Sequence, residues 1–304
     1  MWEKQPEFGG VSNIRSYYGI KVYGRGHVIC HNYVARFHDG ICVCTHGVPE
    51  PQPERKCVAI DIYNNDIFLT HDDFIEADGG VHNIRVLRNR GFNSGQCGLS
   101  AQPVYGGPAY FIRNVLYNVP TGTAFKFFVD SSGLLVYNNT IVSEWIGGRY
   151  SNAHVANNLF LGRDWPDRPI LSAATYTDYT TFDHNGYRPN RAGGPQFSWE
   201  GPPAGQTTAY EGERTTVKFE TIEEFRKATG REKRGVIVDY DIFVEVSKPD
   251  AKDPTIVYKP EDFDFKLWPD CAAVDVGEII WNVSDSFTGR GPDLGAYEVG
   301  KMLP

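Results

Sequence analysis

Apolar and polar residues alternate along this chain in short runs, and the runs recur. Seven stretches share one pattern: VICHNYV, IDIYNNDI, IRVLRNRG, YFIRNVL, LVYNNTI, HVANNLF and TTFDHNGY. Each carries an asparagine with an apolar residue three positions earlier: Asn32 with Ile29, Asn65 with Ile62, Asn89 with Val86, Asn114 with Phe111, Asn139 with Val136, Asn158 with Val155 and Asn185 with Phe182. The intervals are 33, 24, 25, 25, 19 and 27 residues, and the Pro-rich GVPEPQPERK accounts for the long first one. A repeat of this length with strand-like alternation predicts a solenoid of β-rungs. Equivalent residues of adjacent rungs then lie about 4.8 Å apart, so the asparagines stack as a ladder in which each amide bonds the next. Turn marking by asparagine does not by itself fix an apolar residue at minus three.

A second strand of each rung aligns when HDGICVCTH from His38, HDDFIEADG from His71, GQCGLSAQP from Gly95 and TGTAFKFFV from Thr121 are superposed. The inward positions are then Cys42 and Cys44, Ile75 and Ala77, Leu99 and Ala101, and Phe125 and Phe127. A slip of one residue would turn charges inward, which protects the register. Outward positions become Val43 and Thr45, Glu76 and Asp78, Ser100 and Gln102, and Lys126 and Phe128, with Asp39, Asp72 and Gln96 at the strand entry and His38 and His71 in one column. The result is a polar strip across adjacent rungs, with four carboxylates (Asp72, Asp73, Glu76 and Asp78) in seven positions. A solvated face is the ordinary fate of such charge. Tyr105, Tyr110, Phe128 and Trp145 lie close in the repeat, and aromatics beside convergent polar groups form a ligand-site pattern.

After about residue 191 the ladder pattern stops, so residues 1–190 read as rungs and 191–304 as an extension packing back on the solenoid. The extension is expected to cover the open strand edge at the end of the coil, with Trp268 and Trp281 packed there. TIEEF matches a capping box, Thr221 with Glu224, which predicts one helix over residues 222 to 229 closed by Gly230.

The formal charge of −8 argues against nucleic acid as the partner, and no run of about 20 apolar residues spans a membrane. The start, MWEKQPEFGG, lacks the apolar core of a signal peptide, and a leader or further rungs are expected to precede it. Six cysteines in a chain of 304 residues do not read as a disulfide scaffold. Cys42 and Cys44 read as small core hydrophobes, because a metal site would need more Cys or His than His46 nearby.

The asparagine ladder over roughly residues 18 to 190, with LWPDCAAVDVG and GPDLGAYEVG in the tail, resembles the right-handed parallel β-helix superfamily of carbohydrate-active proteins. The tail motifs are similar to the closing segment of bacterial β-helix proteins that process polysaccharides. The resemblance implies an all-β, right-handed parallel β-helix, a polysaccharide or oligosaccharide partner, and a secreted or periplasmic bacterial location.

Three functions then compete. Glycoside hydrolysis needs two carboxyl groups, and residues i and i+2 of a strand sit about 6.6 Å apart, at the low edge of the ~6.5–9.5 Å of inverting enzymes. Asp72, Asp73, Glu76 and Asp78 are the catalytic candidates, since crowded carboxylates raise one pKa and make a general acid. In this reading there is no metal, and Lys126 and Asp39 position substrate or tune those groups. His71, Ser100, Gln102, Tyr105, Tyr110, Arg88 and Arg113 are further substrate-binding candidates. Polysaccharide lyases of this fold often use calcium with Lys or Arg; here Asp72, Asp73, Glu76 and Asp78 would supply oxygen ligands, and Lys126 would be the base if its pKa is depressed. The third reading is a non-catalytic carbohydrate-binding β-helix, which needs the aromatics but not the carboxylates.

Overall fold

A computed structural model of the chain describes residues 17–301 except Val48, Thr121, 191–193, Tyr210, Glu211 and Glu213. Strands stack in parallel into a β-helix of about seven turns with three sheets. The first sheet runs Tyr18–Val22, Asp39–Val43, Asp73–Glu76, Cys97–Ala101 and Thr123–Phe127. The second begins Val28–Cys30, Val58–Tyr63, His82–Leu87, Ala109–Ile112 and Ser131–Tyr137, and continues through the long strand Trp145–Ala156 to Leu171–Thr175 and Phe197–Gly201. The third runs from Tyr33–Ala35 through Asp66–Thr70, Arg90–Ser94, Val115–Tyr117, Thr140–Val142 and Leu159–Leu161 to Gly186–Arg188 and Val236–Ile237.

The asparagine ladder forms between the second and third sheets. Each side-chain amide donates to the next oxygen, from Asn32 to Asn65, Asn89, Asn114, Asn139, Asn158 and Asn185, at 2.8–3.1 Å. From Asn65 onward each amide also donates to the carbonyl of the preceding rung's minus-three residue: Ile29, Ile62, Val86, Phe111, Val136 and Val155. This gives the fixed spacing its cause. One residue supplies a buried side chain to the core and a carbonyl to the ladder. The residue before every ladder asparagine is left-handed, from His31 to His184, with φ between 52° and 59°. Asparagine and aspartate tolerate that conformation best, yet Arg88 and Arg113 also adopt it, so the ladder bonds outweigh local preference. The last rung ends on a carboxylate. Glu232 accepts from Asn185 Nδ2 at 2.7 Å, Asn185 N at 3.3 Å and Tyr187 Oη at 2.7 Å. A carboxylate accepts without donating, so the chain of amides closes with no stranded donor.

Inside, Leu99, Phe125, Phe127, Phe111, Trp145 and Phe160 belong to one continuous core. Phe74 and Ile75 both enter it. Phe74 fits because Gly91 faces it: a Cβ there would stand 2.5 Å from the ring. Trp145, a sugar-stacking candidate in the sequence, is fully buried among these rings.

The first rung departs from the aligned register. Ile41 pairs with Ile75 and Cys42 with Glu76, one residue away from the superposition that opposed Cys42 to Ile75. Ile41 and Val43 face the core, and Cys42 stands in the outward column with Glu76. No charge lies between residues 40 and 44, so a slip there carries no penalty that the sequence displays. The remaining columns, Ile75–Leu99–Phe125 and Glu76–Ser100–Lys126, pair as aligned. Cys44 does not remain a core thiol. The Pro-rich loop returns the chain to Cys57, and the two form a disulfide across a sequence separation of 13.

Phe197–Gly201 extends the second sheet in parallel, and Thr215–Phe219 closes it as an antiparallel edge. The helix Ile222–Thr229 has its capping box at Thr221 and Glu224 and left-handed Gly230 at its end. Its Phe225 stacks on Phe197 and meets Phe219 and Trp199. The segment from Val238 to Ala296 lies on the outside of the third sheet, where Ile242, Phe243, Phe265, Leu267 and Leu294 cluster with Phe92, Tyr117, Val142 and Leu161. Trp268 and Trp281 take no part in that packing and are 52% and 77% exposed. Among the described residues no helix is long and apolar enough to cross a membrane.

Asn114→Ala strands the Asn89 donors and the Val86 carbonyl, and buried unsatisfied groups cost ~1–3 kcal/mol each. A loss of about 3 kcal/mol is expected in urea denaturation, whereas Asn32→Ala, at the end that only donates, should lose under about 1 kcal/mol. Equal losses would contradict an energetic role for the continuous ladder. Burial raises the Glu232 carboxyl from 4.5 to about 7, against the bonds from Asn185 and Tyr187. Folding therefore favours its protonated form. Its contribution should be fullest below pH 4.5 and fall as pH rises to about 7. Denaturation of Glu232→Gln across that window should lack this slope.

Candidate functional site

The outward face of the first sheet carries one column per position. Asp39, Asp73, Cys97 and Thr123 form the first; Cys42, Glu76, Ser100 and Lys126 form the second. Asp78 and Gln102 follow, tied by the bond from Gln102 N to Asp78 Oδ1 at 2.7 Å. Asp72 sits at the turn before its strand, with its backbone N–H bonded to the His38 carbonyl.

Five carboxyl groups share this strip with two lysines, Lys126 and, beside Cys42 at the end of the column, Lys21. Lys126 Nζ donates to Asp73 Oδ2 at 2.6 Å and to Asp72 Oδ1 at 3.3 Å. Asp78 Oδ1 accepts from Ser100 Oγ at 2.6 Å, and Gln102 Nε2 donates to Ser100 Oγ. Asp39 accepts from His38 Nδ1 at 2.9 Å, and the His38 ring packs 4.9 Å from His71. Asp73 and Asp78 are buried, and Asp73 Oδ1 and Asp78 Oδ2 have no hydrogen-bond partner among the described residues.

Desolvation and like charge dominate the electrostatics. Burial, with Asp78 and Asp39, raises Glu76 to about 7, while Cys42 and Lys126 work against the shift. Burial and Asp72 push Asp73 well up, against Lys126. Burial raises Asp78, opposed by Ser100 and Lys126. The strip is short of positive charge and holds extra protons. The Asp39 hydrogen bond raises His38. Burial raises the thiols of Cys42 and Cys97, with the carboxylates adding to it, so neither is an activated nucleophile. For Lys126, burial pulls the ammonium down, but Asp73 and Asp72 outweigh it and hold it above its ordinary value. The depressed pKa that a lysine base requires is absent, because a buried carboxylate sits against the ammonium.

The four carboxylates considered for calcium do not converge as a set. Among the described residues, ligand atoms come within 4.8 Å of one another in three groups: His38, Asp39 and Asp72; Asp39, Cys42 and Glu76; and Asp72, Asp73 and Cys97. Each mixes carboxylate with imidazole or thiol, and Asp78 is in none. Calcium takes six to eight oxygens, and nitrogen and sulfur donors suit other ions. The Lys126 ammonium bonds both Asp72 and Asp73, so this donor set does not fit calcium.

The structure therefore brings together Asp39, Asp72, Asp73, Glu76, Asp78, Ser100, Gln102, Lys126 and the two histidines. Tyr105 lies on the turn just past Gln102, bonded through its N–H to Gly80 beyond Asp78. The other candidates lie elsewhere. Tyr110 is on the second sheet, paired with Arg85 and Leu135. Arg88 and Arg113 occupy the ladder turns. Arg113 is bonded to the carbonyls of Ala296 and Val283 under the extension, a structural role. Cys42 and Cys97 belong to the strip although the sequence pattern did not single them out; the alternation of Ile41 and Val43 is the signal for the first. No protein-family model matches the chain, and no curated protein matches it.

Lys126→Met leaves Asp73 buried without its partner, and breaking such a pair costs ~3–5 kcal/mol. Chemical denaturation should show that loss, with most of it regained in Lys126→Met/Asp73→Asn. A double variant as unstable as the single one would contradict the pairing.

Proposed function

We propose that the protein hydrolyses a polysaccharide, with Glu76 as general acid and Asp72 as the carboxylate that draws a proton from water. The observation that carries this reading is the contrast between the two groups. Glu76 is partly buried, crowded by Asp78 and Asp39, and titrates near 7. Asp72 is partly exposed and in an ion pair with Lys126. Asp39 lies within reach of both, since it shares one close group with Asp72 and another with Glu76. A carboxyl held protonated by burial and like charge, beside a second carboxyl paired with an ammonium, is the arrangement that acid and base roles need.

In the reaction Glu76 gives its proton to the glycosidic oxygen as the carbon–oxygen bond breaks. A water oxygen bonds to the anomeric carbon and loses a proton to Asp72. The leaving sugar departs as an alcohol, and the two carboxyls exchange protonation states and reset through solvent. Burial and the neighbouring Asp78 and Asp39 keep Glu76 protonated, while Asp73 holds Lys126 in place beside Asp72 and Asp78 is fixed by Ser100 and Gln102. Ser100 and Gln102 hold Asp78 rather than touch sugar.

The test is a panel of neutral and uronate-rich polysaccharides read for new reducing ends and for ultraviolet absorbance of an unsaturated uronate. Reducing ends without absorbance are expected. Both signals together mean elimination and sink the hydrolase; no signal favours a binding protein. Activity should fall as pH rises through about 7, where Glu76 loses its proton. Glu76→Gln should lower kcat by about 10²–10⁴-fold and remove that limb of the profile.

A further inference from the structure

Beyond the strip, one half-buried guanidinium stands without an anion. Arg168 is only partly exposed, and its guanidinium carbon lies 3.6 Å from the centroid of the Trp165 ring. Every other described arginine is either exposed or bonded to a carboxylate or carbonyl oxygen. Its neighbour Arg163 shows the usual solution. Arg163 also packs on Trp165, at 4.7 Å, but is committed to Glu144 at 2.6 Å and to the carbonyls of Val119 and Gly122. Burial pulls the Arg168 guanidinium below its ordinary value, with Glu144 opposing and Arg163 adding to the shift. The Arg168 nitrogens are not buried, so its donors face solvent and are open to an anion.

We propose that Arg168, seated over Trp165, is the receptor for a sugar carboxylate, and that the substrate is a uronate-containing glycan. A stacked guanidinium keeps its planar fork of donors free along the edge, the geometry that binds carboxylate in two parallel bonds. Trp165 also lines a cleft of about 180 Å³ with Asn118, Pro120, Arg163, Asp250 and Pro254, and Arg168 packs on Trp165 without being part of that lining. The Asp250 carboxylate there already accepts from the Lys252 N–H at 2.8 Å. That cleft adjoins the turn leading into Thr123–Phe127, the strand that carries Lys126. Asp72 and Arg163 follow corresponding strands of the third sheet, Asp66–Thr70 and Leu159–Leu161, four rungs apart, or about 19 Å along the axis. A chain of several sugars spans that interval. The strip itself repels anions, so the carboxylate is read at Arg168 and a sugar without local negative charge lies at Glu76.

This assignment rests on the polysaccharide reading, and the test separates the two. Binding is measured by affinity electrophoresis on Glu76→Gln protein, with glucuronoxylan, alginate and polygalacturonate, each against its own carboxyl-reduced form. At least one acidic polymer should bind about tenfold more tightly than its reduced form, and Arg168→Gln should abolish that preference, as expected for loss of a charge-assisted bond. Arg168→Lys should restore it in part, which a purely structural role would not do. Uronate oligosaccharides too short to span four rungs should bind more weakly than the polymer while keeping a preference that Arg168→Gln removes. Equal binding of acidic and reduced polymers, or a preference untouched by Arg168→Gln, overturns the carboxylate receptor; if the first panel still shows cleavage, the hydrolase reading stands. Tighter binding of a sulfated galactan than of any uronate polymer, lost in Arg168→Gln, overturns the carboxylate in favour of sulfate. A binding preference without cleavage of any polymer supports the receptor and overturns the hydrolase.

Discussion

The asparagine ladder sets the geometry on which the rest of the molecule depends. An amide side chain accepts and has two donors, so stacked asparagines satisfy one another and still reach a backbone carbonyl, which a charged side chain or a single-donor hydroxyl does not do. From Asn65 to Asn158 each amide bonds both the next amide and the carbonyl of the preceding rung's minus-three residue. Register is fixed as a consequence. A rung displaced by one residue would break both bonds in a buried place and turn a core side chain outward. Because the rungs are locked at this corner, the first sheet inherits the same stacking, and Glu76, Ser100 and Lys126 stand in a column.

That inheritance explains how a cluster as unfavourable as the strip persists. Asp73, Asp78 and Glu76 are gathered with too little positive charge to balance them. In a flexible loop such groups would separate and hydrate. On neighbouring strands they cannot move apart without breaking the sheet, so the repulsion is relieved by protonation instead. Ladder and strip are therefore two faces of one constraint, with surplus stability at the corner sustaining strain on the sheet.

How much of this is legible in the sequence varies with the range of the forces involved. The ladder and the Ile75–Leu99–Phe125 column are readable because each rung repeats the same local pattern. The helix is readable because Thr221, Glu224 and Gly230 act within a few residues of one another. The aligned register fails at the first rung, where residues 40 to 44 carry no charge to penalise a slip, so the sequence pattern turns Cys42 inward although it stands in the strip. The Cys44–Cys57 bridge escapes because spacing alone does not reveal that the proline-rich loop returns to its start. Trp145 reads as a surface aromatic, since a long strand that turns its ring inward looks locally like one that turns it out. The placing of Arg113 beneath the extension, and of Arg163 and Arg168 about Trp165, joins segments whose meeting depends on how many residues each turn contains.

Charge then divides the surface by distance. At physiological salt the influence of a charge fades over about 8 Å, so the strip repels anions only in its own vicinity. Arg168 lies four rungs away, roughly twice that length at about 4.8 Å per rung. An acidic group is thus rejected at one place and accepted at another on the same rigid scaffold. A free monosaccharide gains little from this, since it meets one field or the other. A chain with carboxylates on some units and not on others can satisfy both at once, and its spacing is measured against the rung. The solenoid suits such reading because its repeat turns sequence position into distance along the axis, with little freedom for the two points to drift relative to each other.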